Sequence, residues 1–465
     1  MAPENEIASD QGPATKRFEV GSELVDNLTV LVDGDQQLMV LNLLADLHPA
    51  DNAAVIEHLP VDRARKIIRW LSPEDTAEVL AELDEEFRVN LLEDAHADEI
   101  ATFIDEMDSD DAVDLLSELP EHVAEKVITS LEAPHEIKQL LTYEDDTAGG
   151  IMGTEFVAVP SSWTVAHATE EVRRKADVVE PIYSVFVTDD TGKLIGGISL
   201  KKLLLSQERV KIAEIVDSEP YSVTTDVDQE EVVRIMERYN LVSLPVIDRT
   251  GLLVGRITID DVVDVMREEA EEDIQRMSGV SGGEEYTDSV LRVTRGRFPW
   301  LLMGMLGAGL AATVIGFFQQ EVARAAILAS FIPIVMATAG NAGIQSSAIA
   351  VQGIASGSIW ATDLRKRFAK DLLVSVINGG VLALILGIGV VTIVGSPHAM
   401  RLALTASLTL VTVIVLATTI GGVVPLILHR IGIDPAMATG PFITTMNDII
   451  GLLVFFLLST LIYKP

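Results

Sequence analysis

The last apolar stretch of the chain, Met437 to Tyr463, most narrows what the protein can fold into. It is long enough to cross a bilayer as a helix, which takes roughly 20 residues. Near its middle lies Asp448, at a depth where insertion scales assign an ionised carboxylate a cost of about 2.5–3.5 kcal/mol. Because intramembrane acids usually serve a function, the stretch predicts a membrane helix whose Asp448 faces a wet cation path. The alternative is a structural carboxylate hydrogen-bonded to a neighbouring helix.

Small and hydroxyl-bearing residues share the predicted face of Asp448. At helical spacing Pro441, Thr444, Thr445 and Gly451 lie over or under it. A helix-weakening Gly-Pro pair precedes this stripe. The pattern predicts that Pro441, Thr444 and Thr445 line the path beside Asp448.

Charge divides the 465 residues into two halves. The formal net charge is −36 although 48% of the residues are hydrophobic, and nearly all of the 70 acidic residues precede Phe298. An acidic soluble half followed by a membrane half explains both values. Such acidity argues against nucleic acid or anionic lipid as partners of the soluble half, and it fits either cation binding or a merely solvated surface.

Composition also limits the chemistry. The absence of cysteine excludes disulfides and thiolate metal sites, and the eight histidines lack the spacing of a zinc site. No nucleophile–base set is recognisable, so we do not expect an enzyme. The polar leader, residues 1–20, has no apolar core and therefore is not expected to be a signal peptide.

A twelve-residue repeat begins at His48. Its blocks open at His48, Pro60, Ser72, Asp84, His96, Asp108 and Pro120, continue with acids and close on apolar residues. Caps and acids favour a helix N-terminus, and the apolar stripe that follows needs burial. Residues 21–141 are therefore predicted to be an all-α helical-repeat domain.

A second repeat follows between residues 142 and 260. The segment 184–196, SVFVTDDTGKLIG, returns at 243–255 as SLPVIDRTGLLVG. Each copy predicts a strand, a Thr-Gly turn, a strand and a helix. The arrangement resembles a tandem pair of CBS (cystathionine β-synthase) domains, an α/β module that commonly binds adenine nucleotides.

That resemblance implies at most one nucleotide site. The ribose-contacting Ser/Thr-x-x-Asp motif is matched by Thr258 and Asp261 in the second copy, whereas the first copy has Ser199 and Lys202. ATP or another adenine nucleotide is thus a candidate cofactor, and an empty module is the alternative.

The second copy is followed by an acidic connecting segment, residues 261–297. Like-charged pairs such as Glu268/Glu272 and Glu269/Asp273 stand at i, i+4, where each destabilises a helix by about 0.2–0.5 kcal/mol. Bridging divalent cations would reverse that effect. The alternative is a solvated helix with Arg267 and Arg276 as partners.

Residues 298–465 predict a domain of five membrane spans. We place these at Phe298–Phe318, Val322–Val351, Asp371–Gly395, Leu402–Leu428 and Met437–Tyr463. Most flanking Lys and Arg residues fall on the side of the soluble half, which the positive-inside rule assigns to the cytoplasm. The expected location is a plasma or inner membrane.

Glycines and amides interrupt the second span at residues 340–347, GNAGIQSS. Such weak helix is tolerated at membrane depth where it is buried in protein or lines water. Asn341 and Gln345 fall on one face at i, i+4, which favours pore lining by Asn341, Gly343 and Gln345. Close packing of helices through small residues is the alternative.

The order of these parts resembles the MgtE family of magnesium channels over nearly the whole chain. The most specific matches are Gly340–Ser346, GNAGIQS, Asp434-Pro435 and Thr445-x-x-Asp448. The resemblance implies a homodimer with a central ion path, Asp448 as the pore cation site and Asn341 beside it. It further implies regulatory Mg²⁺ ligands at Asp261, Asp264, Glu269, Glu272, Asp273 and, in the repeat domain, at Asp110, Asp111 and Asp114.

The expected function is therefore a Mg²⁺ channel that imports the ion down its gradient and is closed by intracellular Mg²⁺. Mg²⁺ dehydrates reluctantly, so a pore with few carboxylates and a polar wall suits it. A carrier that exchanges the cation for H⁺ or Na⁺ is one alternative. A membrane-anchored CBS sensor that transports nothing is another.

Overall fold

The computed structural model describes residues 20–176, 178–179, 181–218, 220–282, 284, 289–320, 327, 330–356, 364–394 and 399–462. Positions 1–19 of the predicted leader lie outside them, as do 322–326, 328–329, 395 and 463 of the predicted spans. The chain divides into two units, Met1–Met266 and Arg267–Pro465, and each is described by itself.

Short helices fill the first part of the first unit. They are α1 Ser22–Asp33, α2 Gln37–Leu44, α3 Pro49–Glu57, α4 Val61–Ile68, α5 Pro73–Ala81, α6 Glu85–Leu92, α7 Ala97–Ile104, α8 Ser109–Glu118, α9 Glu121–Ser130 and α10 Pro134–Leu140. Their buried side chains form one apolar core, as expected for stacked repeats.

The twelve-residue period of the sequence is the period of these helices. The opening residue of each block is the N-cap of α3 to α9: His48, Pro60, Ser72, Asp84, His96, Asp108 and Pro120. One apolar position recurs at the same spacing in the core: Ile56, Ile68, Leu80, Leu92, Ile104, Leu116 and Ile128. The predicted helical-repeat architecture is confirmed.

The CBS pair consists of two three-stranded sheets. The first copy contains β1 Ala158–Pro160, α11 Val165–Lys175, β2 Ser184–Thr188, β3 Leu194–Ser199 and α12 Leu200–Leu205. The second contains α13 Ile212–Ile215, β4 Val223–Thr224, α14 Gln229–Tyr239, β5 Ser243–Ile247, β6 Leu253–Thr258 and α15 Ile259–Met277. In each copy the first strand pairs parallel to the second, and the second pairs antiparallel to the third.

The two copies meet at their equivalent Thr-Gly turns. Gly192 and Gly251 both adopt a φ of 86°, a conformation that favours glycine. The amide of Leu194 donates to Gly251 O at 3.1 Å, and that of Leu253 donates to Gly192 O at 3.2 Å. These reciprocal bonds give the module the internal pseudo-symmetry that the sequence repeat predicts.

The repeat domain and the CBS pair share a core. Val113 of α8 and Leu140 of α10 belong to the same buried cluster as Met152, Val232 and Ile257. Apolar burial stabilises at about 25 cal/mol per Å², so this shared core holds α8 against the CBS pair. Acidic residues at the start of α8 are thereby brought next to those of the module.

Long apolar helices dominate the second unit. They are α16 Val290–Phe317, α17 Ile332–Ala355, α18 Leu364–Val394, α19 Ala399–Arg430 and α20 Pro441–Ile462, with a 3-10 turn at Pro435–Ala438. Within the described ranges these five helices are long and apolar enough to cross a membrane. Their buried residues form a core in which Phe318 stacks on Phe456 at 4.8 Å between ring centroids.

Candidate cation sites

Asp448 is the only charged residue of α20. Its side chain is half-buried, and no Lys or Arg in the described part of the chain forms an ion pair with it. A carboxylate in such a place lacks a counter-charge among the described residues of the helix domain. Its chemistry therefore suits a mobile cation.

The threonines predicted to accompany Asp448 contact glycines of other helices. A Cβ added at Gly307 of α16 would collide with the Thr445 side chain, and one added at Gly340 would lie 4.0 Å from Thr444. The Thr444 hydroxyl donates to Gly440 O at 3.1 Å. The structure thus packs Thr445 tightly against α16. It leaves Thr444 beside the glycine segment of α17, residues 340–347.

The glycine segment of α17 is helical and has two different faces. Asn341 and Gln345 are exposed. Gly343 is buried instead, because its Cα approaches Asn447 of α20 and its carbonyl approaches Gly421 of α19. Gly343 therefore contributes close helix packing, the alternative that the sequence left open for this segment.

Asn447 was not predicted as a functional residue. It is 2% exposed, and neither atom of its amide has a hydrogen-bond partner in the described structure. An unmade hydrogen bond of a buried group costs about 1–3 kcal/mol. In the sequence, the only indication of a role for Asn447 is that it is a polar residue directly before Asp448, on a different face of the same helix.

Charged residues also meet at the end of α15, in a set that we call the α15 junction: Glu272, Asp273, Arg276 and Asp434. The Arg276 guanidinium forms ion pairs with Glu272 and Asp434. Burial and the nearby Asp434 raise the pKa of Asp273. A Cβ at Gly440 would lie 2.8 Å from Met277 O, so α15 ends directly against the segment that leads into α20.

A larger acidic set surrounds α8. The α8 acid cluster comprises Asp108, Asp110, Asp111, Asp114, Glu118, Glu155 and Asp261. Ser109 Oγ donates to Glu155 at 2.9 Å and accepts from the Thr154 amide at 2.8 Å. These bonds, with the shared core, place α8 acids beside those of the CBS pair.

Electrostatics in this cluster are unfavourable for ionised carboxylates. Burial raises the pKa of Asp108 and Asp114 to about 6 and that of Asp111 to about 7, and neighbouring acids add to each shift. Burial likewise raises the pKa of Asp110 well above its ordinary value, and the negative charge of Asp261 is the next largest cause. A bound cation would relieve this repulsion.

Two buried arginines, Arg88 and Arg256, act on the acids of this cluster. Arg88 is 7% exposed, and it donates to both carboxylate oxygens of Glu118 and, at 3.1 Å, to Leu80 O. Burial nevertheless raises the pKa of Glu118 to about 7. Sequence reasoning missed Arg88, Glu118 and Glu155, because their partners lie far away in sequence, and it assigned Asp108 only as a block opening.

The acids are close in space without forming a preformed ligand cage. In the residues that the structure describes, no three Asp, Glu or His side chains are arranged to hold a metal ion. Asp264, Glu269 and Glu272 have other polar interactions. Mg²⁺ keeps several of its waters, so binding here would run through water or draw the carboxylates together.

The candidate nucleotide residues are occupied by local contacts. Asp261 accepts from the Thr258 amide at 2.8 Å and from its hydroxyl at 2.7 Å. In the first copy Lys202 pairs with Asp217 at 2.8 Å. The second-copy motif is therefore folded as a local capping turn, and Asp261 also belongs to the α8 acid cluster.

Three family models match successive parts of the chain. They are MgtE intracellular N domain at 47–146, CBS domain at 148–208 and 212–268, and MgtE, divalent cation transporter, at 332–458. They follow the order of the predicted domains.

Curated relatives and a solved structure match as well. Magnesium transporter MgtE of Enterococcus faecalis is 35% identical over 71% of this chain and 72% of its own length. That of Thermus thermophilus is 32% identical over 93% of this chain and 97% of its own. The crystal structure of the cytosolic domain of the Mg²⁺ channel MgtE in complex with ATP is 33% identical, with a TM-score of 0.50, over 52% of this chain and all of its own.

These similarities and the five apolar helices identify a multi-pass membrane protein whose N-terminal domains are cytoplasmic. The chain belongs to the MgtE family.

Proposed function

We propose that this protein is a Mg²⁺-selective channel that imports the ion down its electrochemical gradient. The observation that carries the proposal is the half-buried carboxylate of Asp448, which lies on an otherwise uncharged helix. Among the described residues, no Lys or Arg forms an ion pair with it. A homodimer would bring two such carboxylates together and balance the 2+ charge. The names of the relatives, magnesium transporters, support the choice of ion.

Asp448 acts here by attracting the cation while water fills much of its coordination sphere. Mg²⁺ demands octahedral oxygen ligands and usually keeps several waters. Asn341 and Gln345, exposed on one face of α17, supply the amide wall that hydrated ions need, with Pro441 and Thr444 at the cytoplasmic start of α20. Thr445 and Gly343 hold the surrounding helices close.

Cytosolic Mg²⁺ closes the channel by neutralising acids. The α8 acid cluster is one site, with Asp110, Asp111, Asp114 and Asp261 as ligands, directly or through water. Asp264, Glu269, Glu272 and Asp273 of α15 extend the regulatory set. Repulsion among buried carboxylates favours separation, and a divalent ion favours the docked state.

Adenine nucleotide is a further regulator at the CBS pair, at no more than one site per chain. The ATP complex of the similar cytosolic domain supports this part of the proposal. Thr258 and Asp261 are its candidate contacts. Since Asp261 also serves the α8 acid cluster, nucleotide and Mg²⁺ would act on the same turn.

The test is Mg²⁺ influx into proteoliposomes under an imposed voltage. We expect Asp448→Asn, which keeps the shape and removes the charge, to lower influx about 100-fold or more. Asp371→Asn is the matched control, because Asp371 lies near a helix end beside Arg367 and should be dispensable. Influx at the wild-type rate through folded Asp448→Asn protein would refute the pore assignment.

The same assay separates a channel from a coupled carrier. A channel conducts without a counter-ion, so collapsing the H⁺ and Na⁺ gradients should leave influx unchanged at fixed voltage. Influx that stops when either gradient is removed would favour the carrier.

A further inference from the structure

The side chain of Asn447 lies in a tight junction of helices α17, α19 and α20. A Cβ on Gly343 of α17 would collide with the Asn447 amide nitrogen, and a Cβ on Gly421 of α19 would collide with Gly343 O. Three helices therefore meet where two of them contribute glycine. The Asn447 amide fills the space that the missing side chain of Gly343 leaves, and the Gly343 backbone fills the space at Gly421.

Packing alone does not explain an asparagine here. Leucine has the same branched shape and number of side-chain heavy atoms, and it would fill an apolar junction without any polar group to desolvate. Neither atom of the Asn447 amide is paired within the described residues, although the residue is 2% exposed. Buried polar groups in membrane helices usually find partners, so the unpaired amide disfavours the arrangement described here.

Asn447 is also mechanically coupled to Asp448. Neighbouring residues on a helix point about 100° apart, so any rotation of α20 turns both side chains together. Gly440 precedes the helix and Pro441 begins it, so a change in backbone direction is tolerated there. Rotation that freed the amide from Gly343 would therefore re-aim the carboxylate.

We propose that Asn447 is a positioning residue for Asp448: its unpaired amide destabilises the packed arrangement of α20 against Gly343 and favours a second one. In that second arrangement the amide gains water or backbone partners beside the ion path, and Asp448 takes the orientation that conducts. The inference rests on the proposed function, because it assigns a role relative to the pore carboxylate.

Two variants should move in opposite directions. Asn447→Leu keeps the bulk but removes the polar penalty, so the packed arrangement becomes more stable. We expect its maximal Mg²⁺ influx to fall about 10-fold, with a melting temperature equal to or above that of the wild type. Gly343→Ala adds the colliding Cβ, so the melting temperature should fall while maximal influx stays at or above the wild-type level.

The experiment measures influx and melting temperature of the full-length protein, with no Mg²⁺ inside the vesicles. Gly380→Ala is the matched control, because a Cβ at Gly380 meets nothing within 4 Å. Asp448→Asn is included to test the pore assignment separately. If Asp448→Asn conducts normally, the proposed function fails. If it does not conduct, but Asn447→Leu conducts like the wild type or both junction variants lose influx and stability together, only the role of Asn447 is overturned.

Discussion

The α8 acid cluster and the α15 junction use carboxylates in opposite ways. In the junction, Arg276 pairs with both Glu272 and Asp434, so the guanidinium already balances part of the negative charge of these acids. In the cluster, Arg88 is bound to Glu118, and burial raises the pKa of Asp108, Asp111 and Asp114 to about 6–7. The cluster holds more negative charge than its own side chains neutralise.

That difference indicates which region responds to ions from outside. A region whose acids are mostly paired with an arginine remains assembled without added cations, although a divalent ion can compete for the same acids. A buried acidic region gains stability from protons or Mg²⁺. We therefore expect the α8 acid cluster to be the more sensitive of the two.

The largest expected effect is from Arg88→Met. Its side chain is 9% exposed and that of Glu118 is 11% exposed, and removing one partner of a buried pair costs about 3–5 kcal/mol. The first unit, Met1–Met266, which we call the cytosolic unit, should melt about 10 °C lower at pH 8. Thermal unfolding of the full chain in detergent measures this.

A matched pair provides the control. Arg63→Met breaks the more exposed pair with Asp33 and should change the melting temperature little, because solvent screens an exposed ion pair. Adding Glu118→Leu to Arg88→Met should restore much of the loss, since it removes the unpaired charge. If Arg88→Met melts like Arg63→Met, the buried pair does not support the cluster.

The next effect is on pH dependence. A carboxyl whose folded pKa is raised stabilises the docked state below its unfolded pKa, and this contribution is lost as the pH rises through the folded pKa. For Asp108, Asp111, Asp114 and Glu118 the loss should end near pH 6–7. In EDTA the cytosolic unit should therefore melt higher at pH 5.5 than at pH 8.

Saturating Mg²⁺ should reduce that pH difference, because it supplies the missing charge at high pH. The surface acids Asp189 and Asp248 have lowered pKa values through bonds from Thr191 and Thr250, so they stay ionised at pH 5.5 and do not confuse the comparison. Equal melting at both pH values in EDTA would contradict the account of the cluster.

The smallest expected effect is from Arg276→Gln. The junction is partly exposed, so its ion pairs contribute about 1 kcal/mol. Amide exchange at the end of α15 should become roughly fivefold faster in EDTA. Added Mg²⁺ should slow it again, because the variant turns the junction into an acid set without an arginine. Unchanged exchange would show that Arg276 does not tether the helix.

Much of this architecture follows from local patterns. The N-caps from His48 to Pro120 recur every twelve residues, and a cap and an apolar stripe are decided by nearby sequence. The CBS turns at Gly192 and Gly251 need glycine for the same local reason. Asp448 stood out because charge is rare within an apolar span.

The remaining features depend on contacts across the fold. Arg88 and Glu118 are 30 residues apart, and no local pattern joins them. Asn447 resembles a polar neighbour of Asp448 until the approach of Gly343 shows that it is buried. The raised pKa values likewise arise only when α8 meets the CBS pair.

The most direct test of the account is Mg²⁺ influx measured against internal Mg²⁺. The variant carries Asp→Asn at Asp110, Asp111, Asp114 and Asp261. The control makes the same charge change at the exposed acids Asp35, Asp62, Glu93 and Asp94. If bridging cations close the channel, the cluster variant should need about tenfold more internal Mg²⁺ for half-inhibition, whereas the control behaves like the wild type. A cluster variant that closes at wild-type Mg²⁺, or that stays shut without Mg²⁺, would contradict the account.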